Sequence, residues 1–519
     1  MTKIKSKTLF DLIKSLSKNE KRYFKVLVSN SSEAEDKKII LLFDLISNSE
    51  DLNKEINLTK SPSIKAAQIP NLKAYLFEKI LQVLRMYHTT KIKDIQIREQ
   101  IDYIQILIER RLYTSAQKCI DKAKKMAQTH LNLELQLEIL KIEKSLVMQN
   151  ISDVKNNVDN IVEEVQLLNQ QINNINTFTN LSIKLNSFYT KSGFIRDEKD
   201  DQRIKDFFNK NISYYQEQEL SIAEKINLYR LYIGYYFFLQ DFNNGYIYSK
   251  KLEEIFESEQ PLIENMPDEY IKALNNLLIA QYKLFLYTDF VATNQKLQSI
   301  TSHPKVRINE NIRIKLLKYF YTHEINKFFM TGDFNSGVEI IINQQGKELN
   351  LLIMMLDKHS SLILNYKIAC LHFGAGNYSQ SIKTLHKIIN SQEHDLREDL
   401  HCFARIMNLV CHYELKNFDV IKHYIISTYR FLLKKDDLRL FQKYVLKFLK
   451  NLSLEMDNKD LLFQFQELKN QLTTLIDSPY EKRAFIYFDI ISWLESKIEK
   501  KSVQEIIQQK FHSRITKES

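Results

Sequence analysis

A cluster of side chains between residues 370 and 412 has metal-binding chemistry, among them Cys370, His372, His386, His401, Cys402, Cys411 and His412. Imidazole and thiolate are zinc ligands, so spacing decides whether they meet at one ion. On a single helix, His401 and His412 share a face but stand about 16 Å apart at ~1.5 Å of rise per residue. Cys402 and Cys411 fall on roughly opposite faces. His372 and His412 also occupy a sequence column that Tyr236, Leu284 and Phe328 fill elsewhere, which reads as packing. No metal site and no cofactor are expected.

Other chemistry is equally thin. Residues 193–203 hold Asp197, Glu198, Asp200 and Asp201 but lack the glycine and closing glutamate of a calcium loop. They read as a charged connection between helices. No phosphate-binding glycine loop, dinucleotide fingerprint, His-Glu-x-x-His or nucleophile elbow occurs. Gly374-Ala375-Gly376 has no strand before it and reads as a helix corner. No catalytic residue is expected.

A cationic stripe is the one charge signal. Residues 1–94 carry 18 Lys and Arg against 11 Asp and Glu, which is seven of the chain's ten net positive charges. Lys18, Lys21, Arg22 and Lys25 share one helix face, opposite Phe24, Leu27 and Val28. Two readings stand side by side: phosphate contact by a small basic helical unit, or an ordinary solvated face.

The elements that would position these residues are helices. Residues 364–389 contain Ile368, Leu371, His372 and Ala375 at helical spacing. After a corner at Gly376-Asn377, the pattern resumes with Tyr378, Ser381, Ile382, Leu385 and Ile388. Gly376 suits a left-handed corner, and Asn377 is expected to cap the second helix. The pattern recurs. Asp or Asn followed by an aromatic occurs at Phe242, Phe290, Phe334, Tyr378 and Phe418, with spacings of 48, 44, 44 and 40 residues. Three residues after each aromatic stands Gly245, Thr293, Gly337, Ser381 or Ile421. Four of these five are small, which lets paired helices approach closely, so the spacing predicts stacked helix–turn–helix units. Weaker copies follow Tyr113, with Ala116, Ile120 and Ala123, and Ile151, with Val154, Val158 and Ile161.

These columns resemble the tetratricopeptide (TPR) repeat family, with the match carried by Gly332-Asp333-Phe334, Gly376-Asn377-Tyr378, the small residue three later and the bulky residue six before. The period exceeds the family's 34 residues and no copy carries its tryptophan. The resemblance implies an all-α, α-α superhelix, a TPR-like solenoid of long helix pairs. It also implies a non-enzymatic scaffold that holds a protein or peptide partner on its concave face. By offset, that face includes Arg230, Phe237, Tyr282, Thr322, Asn326, Phe329 and Tyr366. The lysine–asparagine pairs by which some relatives hold a terminal carboxylate are missing at the matching offsets, Arg230/Gly234, Leu278/Tyr282, Thr322/Asn326 and Tyr366/Cys370. The alternative class is a nucleic-acid-binding regulator acting through Lys18, Lys21, Arg22 and Lys25.

Three regions are expected: a basic N-terminal helical module at residues 1–95, the repeat array at 96–435 and a C-terminal helical cap at 436–519. In the first, Ser17 with Glu20 forms a capping box, residues 36–46 and 71–87 are helices, and Pro62 and Pro70 bracket a loop. In the last, Ser478-Pro479-Tyr480-Glu481 reads as a helix start leading to Ile486, Ile490, Trp493 and Leu494, and the tail from Lys510 is expected to fray. The band Tyr229, Tyr232, Tyr235, Tyr236, Phe237 and Phe238 wraps most of one helix, so most of it belongs to the core.

Eight glycines and six prolines are too few for a β-rich or disordered chain of 519 residues. Four cysteines fit a reducing compartment, and no apolar run approaches the ~18–20 residues of a membrane helix. A cytoplasmic protein with no membrane partner is the expectation.

Overall fold

A computed structural model describes residues 6–29, 34–49, 68–89, 92–148, 158–192, 194–195, 197–212, 215–391, 396–435, 437–452, 458–478, 480–482, 484–485 and 488–518. Among these the regular elements are helices, with no strand. The chain divides into two compact units, Met1–Ile172 and Asn173–Ser519.

The first unit opens with α1 (Ser6–Ser15), α2 (Lys18–Ser29), α3 (Ala34–Asn48) and α4 (Ile69–His88). Leu9, Ile13, Phe24, Val28, Phe43, Leu76 and Ile80 from all four form one apolar core. The capping box closes as the sequence predicts, with Ser17 N–H donating to Glu20 Oε2 at 2.8 Å and Glu20 N–H to Ser17 Oγ at 3.3 Å. Pro70 sits in the first turn of α4 and so does not end a loop there, since proline lacks only an N–H that a helix start leaves unpaired. Pro62 lies outside the described residues. Next come α5 (Lys93–Glu109), α6 (Tyr113–Thr129) and α7 (Leu133–Met148). Tyr113 opens α6, and Ala116, Ile120 and Ala123 are fully buried between its neighbours. Of the next expected copy, Ile151 and Val154 lie outside the described residues, while Ile161 is buried in α8 (Val158–Ser192), which carries the chain across the division.

The second unit begins, after the end of α8, with α9 (Glu198–Ile212), α10 (Ile222–Phe238), α11 (Phe242–Ser258), α12 (Gln260–Asn265), α13 (Pro267–Leu284) and α14 (Tyr287–Ser299). It continues with α15 (Pro304–Ile308), α16 (Glu310–Thr331), α17 (Phe334–Gly337, running on as a π turn at Val338–Gln344), α18 (Gly346–Met355), α19 (Lys358–Gly374) and α20 (Tyr378–Ile389). The remainder is α21 (Glu398–Glu414), α22 (Phe418–Lys434), α23 (Leu440–Asn451), α24 (Asn458–Thr473), α25 (Ile490–Ile498) and α26 (Val503–Glu518). The hairpins α10/α11, α13/α14, α16/α17, α19/α20 and α21/α22 pack in succession, the arrangement of an α-α solenoid.

Each hairpin turns on one left-handed residue: Gln240, Phe285, Gly332, Gly376 or Lys416. Only two are glycine. A left-handed L-residue costs about 1–2 kcal/mol, so the others need compensation. They obtain it from Schellman geometry, in which Asp241, Leu286 and Asn417 each donate N–H to the carbonyl five residues back at 2.9–3.0 Å, as Asn377 also does after Gly376 at 2.8 Å. Phe242, Phe334, Tyr378 and Phe418 then open the second helix. Phe290 instead lies one turn inside α14, because that corner falls at Phe285-Leu286. The small column works by contact. A Cβ on Gly337 would sit 2.8 Å from Leu371 Cδ1, and Ser381 Oγ donates to Ala369 O at 2.9 Å across its hairpin.

Three sequence expectations fail locally. Asn377 makes no side-chain cap, while Asp241 and Asp333 at equivalent corners do. Glu481 does not open the helix that carries Trp493. Its carboxylate accepts from Leu440 and Phe441 N–H at 2.9 and 3.1 Å and so caps α23, whereas α25 starts at Ile490 under an Asp489 cap. Ile486 lies outside the described residues. The tail does not fray as a loose polar end, because α26 is anchored: Lys510 pairs with Glu495 at 2.6 Å, and Phe511 meets Tyr287 edge-on.

This C-terminal stretch runs back along the hairpin corners. Trp493 Nε1 donates to Glu414 Oε1 at the end of α21, Phe488 meets Phe373 at the end of α19, Gln504 accepts from Asn335 N–H beside the α16 corner, and Arg514 covers Phe285 at the end of α13. The end of α8 and the residues after it reach the starts of later helices, with Arg397 N–H donating to Thr190 O and Arg439 pairing with Asp197.

Candidate interaction surface

The first helices α10, α13, α16 and α19 share a face. That face is concave at α13–α19, since Lys367 on α19 places its ammonium 5.5 Å from the ring centroid of Tyr282 on α13, past the intervening α16. Of the residues expected there, Tyr282, Asn326 and Phe329 come together, and they do so around Lys367. Its Nζ donates to Asn326 Oδ1 at 2.5 Å and also lies 5.5 Å from the Phe329 ring. Tyr282, Lys283, Phe329, Lys367 and Cys370 are all half-buried, deep in the groove yet open along it.

Asn326 is oriented from behind. Burial pushes the His323 imidazole down to about 3, so it is neutral, with one donor and one acceptor nitrogen. The network assigns them: Asn326 Nδ2 donates to His323 Nδ1 at 3.3 Å, and His323 Nε2 donates to Asn275 Oδ1 at 3.0 Å. That leaves the Asn326 carbonyl facing Lys367. The chain Asn275–His323–Asn326 is neutral and ends on the Lys367 ammonium, tying α13, α16 and α19 together.

Electrostatics sets this end of the groove apart. Burial pushes Lys367 down to about 8, and burial with repulsion from Lys367 pushes Lys283 down to about 7. Burial drives the neighbouring Cys370 thiol up to about 12, so it supplies no thiolate near neutrality. Among the described residues no carboxylate pairs with Lys367.

The other end of the groove is fully paired. Arg230 binds Glu269 at 2.8 Å, Lys272 bridges Glu269 and Asp268 at 2.8 Å each, and Lys315 also binds Asp268. Burial raises the Asp268 pKa, but Lys272 and Lys315 outweigh it and hold the carboxyl below its ordinary value. Arg230 is therefore a rung of a structural ladder. Thr322 Oγ1 donates back to Lys318 O, Tyr366 is buried, and Phe237 packs on Phe242. These three do not join the Lys367 cluster. Sequence offsets missed Lys367 and Lys283, whose one signal is a lysine set among apolar neighbours, as in Tyr366-Lys367-Ile368-Ala369-Cys370.

The basic stripe of α2 is partly engaged by α3. Lys25 pairs with Asp44 at 2.5 Å and Lys21 Nζ donates to Ser47 Oγ at 3.1 Å, while Lys18 and Arg22 are exposed. The histidines and cysteines disperse. His412 stacks on Tyr424, Cys411 donates to Ser381 Oγ, and among the described residues no three of His, Cys, Asp or Glu form a group able to hold a metal. In the aromatic band, Tyr229, Tyr235 and Phe238 are buried, and Tyr232 and Tyr236 stack with Tyr248. No described helix is long and apolar enough to cross a membrane.

Comparison with protein-family models, curated proteins and solved structures finds no match for this chain.

Proposed function

We propose that the protein is a non-catalytic, TPR-like scaffold of the cytoplasm that holds a protein partner on the concave face of its first helices. An acidic side chain of that partner sits at Lys367. The observation that carries this reading is the cation itself: a desolvated ammonium braced by an amide and two rings, with its charge unanswered by any described carboxylate. Such a group gains most from a carboxylate brought by another chain, since the pair then forms where water is scarce. Tyr282 and Phe329 add apolar contact area on either side.

The nucleic-acid reading ranks lower because Lys25 already pairs with Asp44 and Lys21 bonds Ser47 within the module. One capture experiment addresses both. Native lysate, with and without nuclease, is passed over the wild-type chain and over Lys367→Glu, with a charge-reversed Lys18, Lys21, Arg22, Lys25 variant as the third arm. Proteins retained by the wild type and by the N-terminal variant but lost from Lys367→Glu support the scaffold. Retention that disappears with nuclease, or that only the N-terminal variant loses, contradicts it.

A further inference from the structure

Where α26 folds back over the hairpin corners it does not fill the space beneath it. A cavity of about 320 Å³ remains between α26, the segment before α25 and the ends of α13 and α16. Its walls are apolar and largely aromatic: Phe285, Phe329, Phe485, Ile507 and Phe511. A site of ~150 Å³ accepts benzene, so this one has room for about two fused rings or a chain of roughly ten carbons.

Three charged residues line the cavity, and two are committed. Asp489 accepts from Ser492 N–H at 3.0 Å and from Ser492 Oγ at 2.6 Å. Lys510 pairs with Glu495 at 2.6 Å and donates to Ser492 Oγ at 2.7 Å. Arg514 differs. Its guanidinium lies over Phe285, 4.3 Å from the ring centroid, and among the described residues no carboxylate pairs with it. Stacking uses the face of the guanidinium and leaves its in-plane donors available. An apolar chamber with one spare planar cation is matched to a molecule that is greasy at one end and anionic at the other.

We propose that this cavity binds an amphipathic organic carboxylate, with its ring or short acyl part beneath α26 and its carboxylate paired to Arg514. This site shares the Phe329 ring with the Lys367 groove but has its own cation in Arg514, and it goes beyond the scaffold reading. Because α26 forms part of the cavity wall, occupancy would also hold that helix against the hairpin corners.

The test uses the full chain and calorimetric titration with 2-naphthoate, alongside the neutral 2-naphthalenemethanol and the cationic 2-naphthylmethylammonium. The expected result is saturable 1:1 binding of naphthoate, about tenfold or more tighter than the alcohol, with the ammonium weakest. Arg514→Gln removes the preference for naphthoate over the alcohol, and Arg514→Lys restores part of it. Ile476→Trp, a partly exposed position that also lines the cavity, fills it from the mouth and weakens naphthoate and alcohol together by about tenfold. Unchanged far-ultraviolet circular dichroism establishes that each variant is folded. Absence of saturable naphthoate binding, equal affinity for naphthoate and alcohol, or binding indifferent to Ile476→Trp would each overturn the proposal.

Discussion

The two ends of the concave face solve the same problem in opposite ways. Near the starts of α13 and α16, Arg230, Glu269, Lys272, Asp268 and Lys315 form an alternating ladder in which each charge has an opposite neighbour. Near their ends, Lys367 and Lys283 face aromatic rings and an amide, and burial lowers both pKa values. The first arrangement is complete within the chain and holds first helices together. The second leaves the Lys367 charge, which no described carboxylate answers, in a poorly solvated place that folding alone does not reward. A group held at a cost to stability is the better candidate for binding.

Breaking the ladder should produce the largest effect. Asp268→Lys puts a third cation between Lys272 and Lys315 and removes an acid from the first turn of α13. A loss of about 3 kcal/mol is expected, seen as a lower urea midpoint at unchanged slope. A loss below about 0.5 kcal/mol would mean that the ladder is decorative.

Next in size is the response to pH. In the unfolded chain Lys283 and Lys367 keep their protons up to the ordinary lysine range, whereas in the folded chain they release them near 7 and 8. Between those limits the unfolded state binds more protons, so this site makes stability rise with pH. The rise should begin near pH 7, amount to roughly 1–2 kcal/mol by pH 9.5 after allowance for partial exposure, and be absent below pH 6. Higher still, the sign reverses, because burial pushes Tyr232 and Tyr235 up to about 12 and the unfolded chain loses phenolic protons first. Urea titrations at closely spaced pH values measure the slope.

Lys367→Met sharpens the contrast. It should stabilise the protein by about 1 kcal/mol at pH 7, remove part of the alkaline rise and abolish partner capture. The same exchange at Lys272 should destabilise, because Asp268 and Glu269 each lose one of two cations and keep only Lys315 and Arg230. Smallest of all, Lys18→Ala with Arg22→Ala on the exposed side of α2 should shift stability by under about 0.5 kcal/mol.

Much of the helical architecture could be read from the chain because it rests on local periodicity. The aromatic at each corner and the small residue three later mark the hairpins, since corner geometry and close helix approach demand those residue types. The corner at Phe285-Leu286 was harder to place, because Schellman hydrogen bonding allows a non-glycine residue there and no Asp or Asn precedes the aromatic that opens the helix. Glu481 capping α23 and the return of α26 over the corners were illegible. Both join segments far apart in sequence, and periodicity carries no information about which surface an amphipathic helix will meet. The concave face was legible in part. Offsets found Tyr282, Asn326 and Phe329 but passed over Lys367, the residue they surround, because a lysine one position from a buried tyrosine looks like a solvated neighbour until curvature brings α13 and α19 together.

The most direct measurement is the titration of the Lys367 side chain itself, followed by the ε-carbon chemical shift in selectively labelled protein and assigned with Lys367→Met. A midpoint near 8 is the expected result, and it should move up when an acidic partner binds. A midpoint near the ordinary lysine value of about 10.4 would show a well-solvated or internally paired ammonium, and would contradict the claim that the fold holds this charge for another molecule.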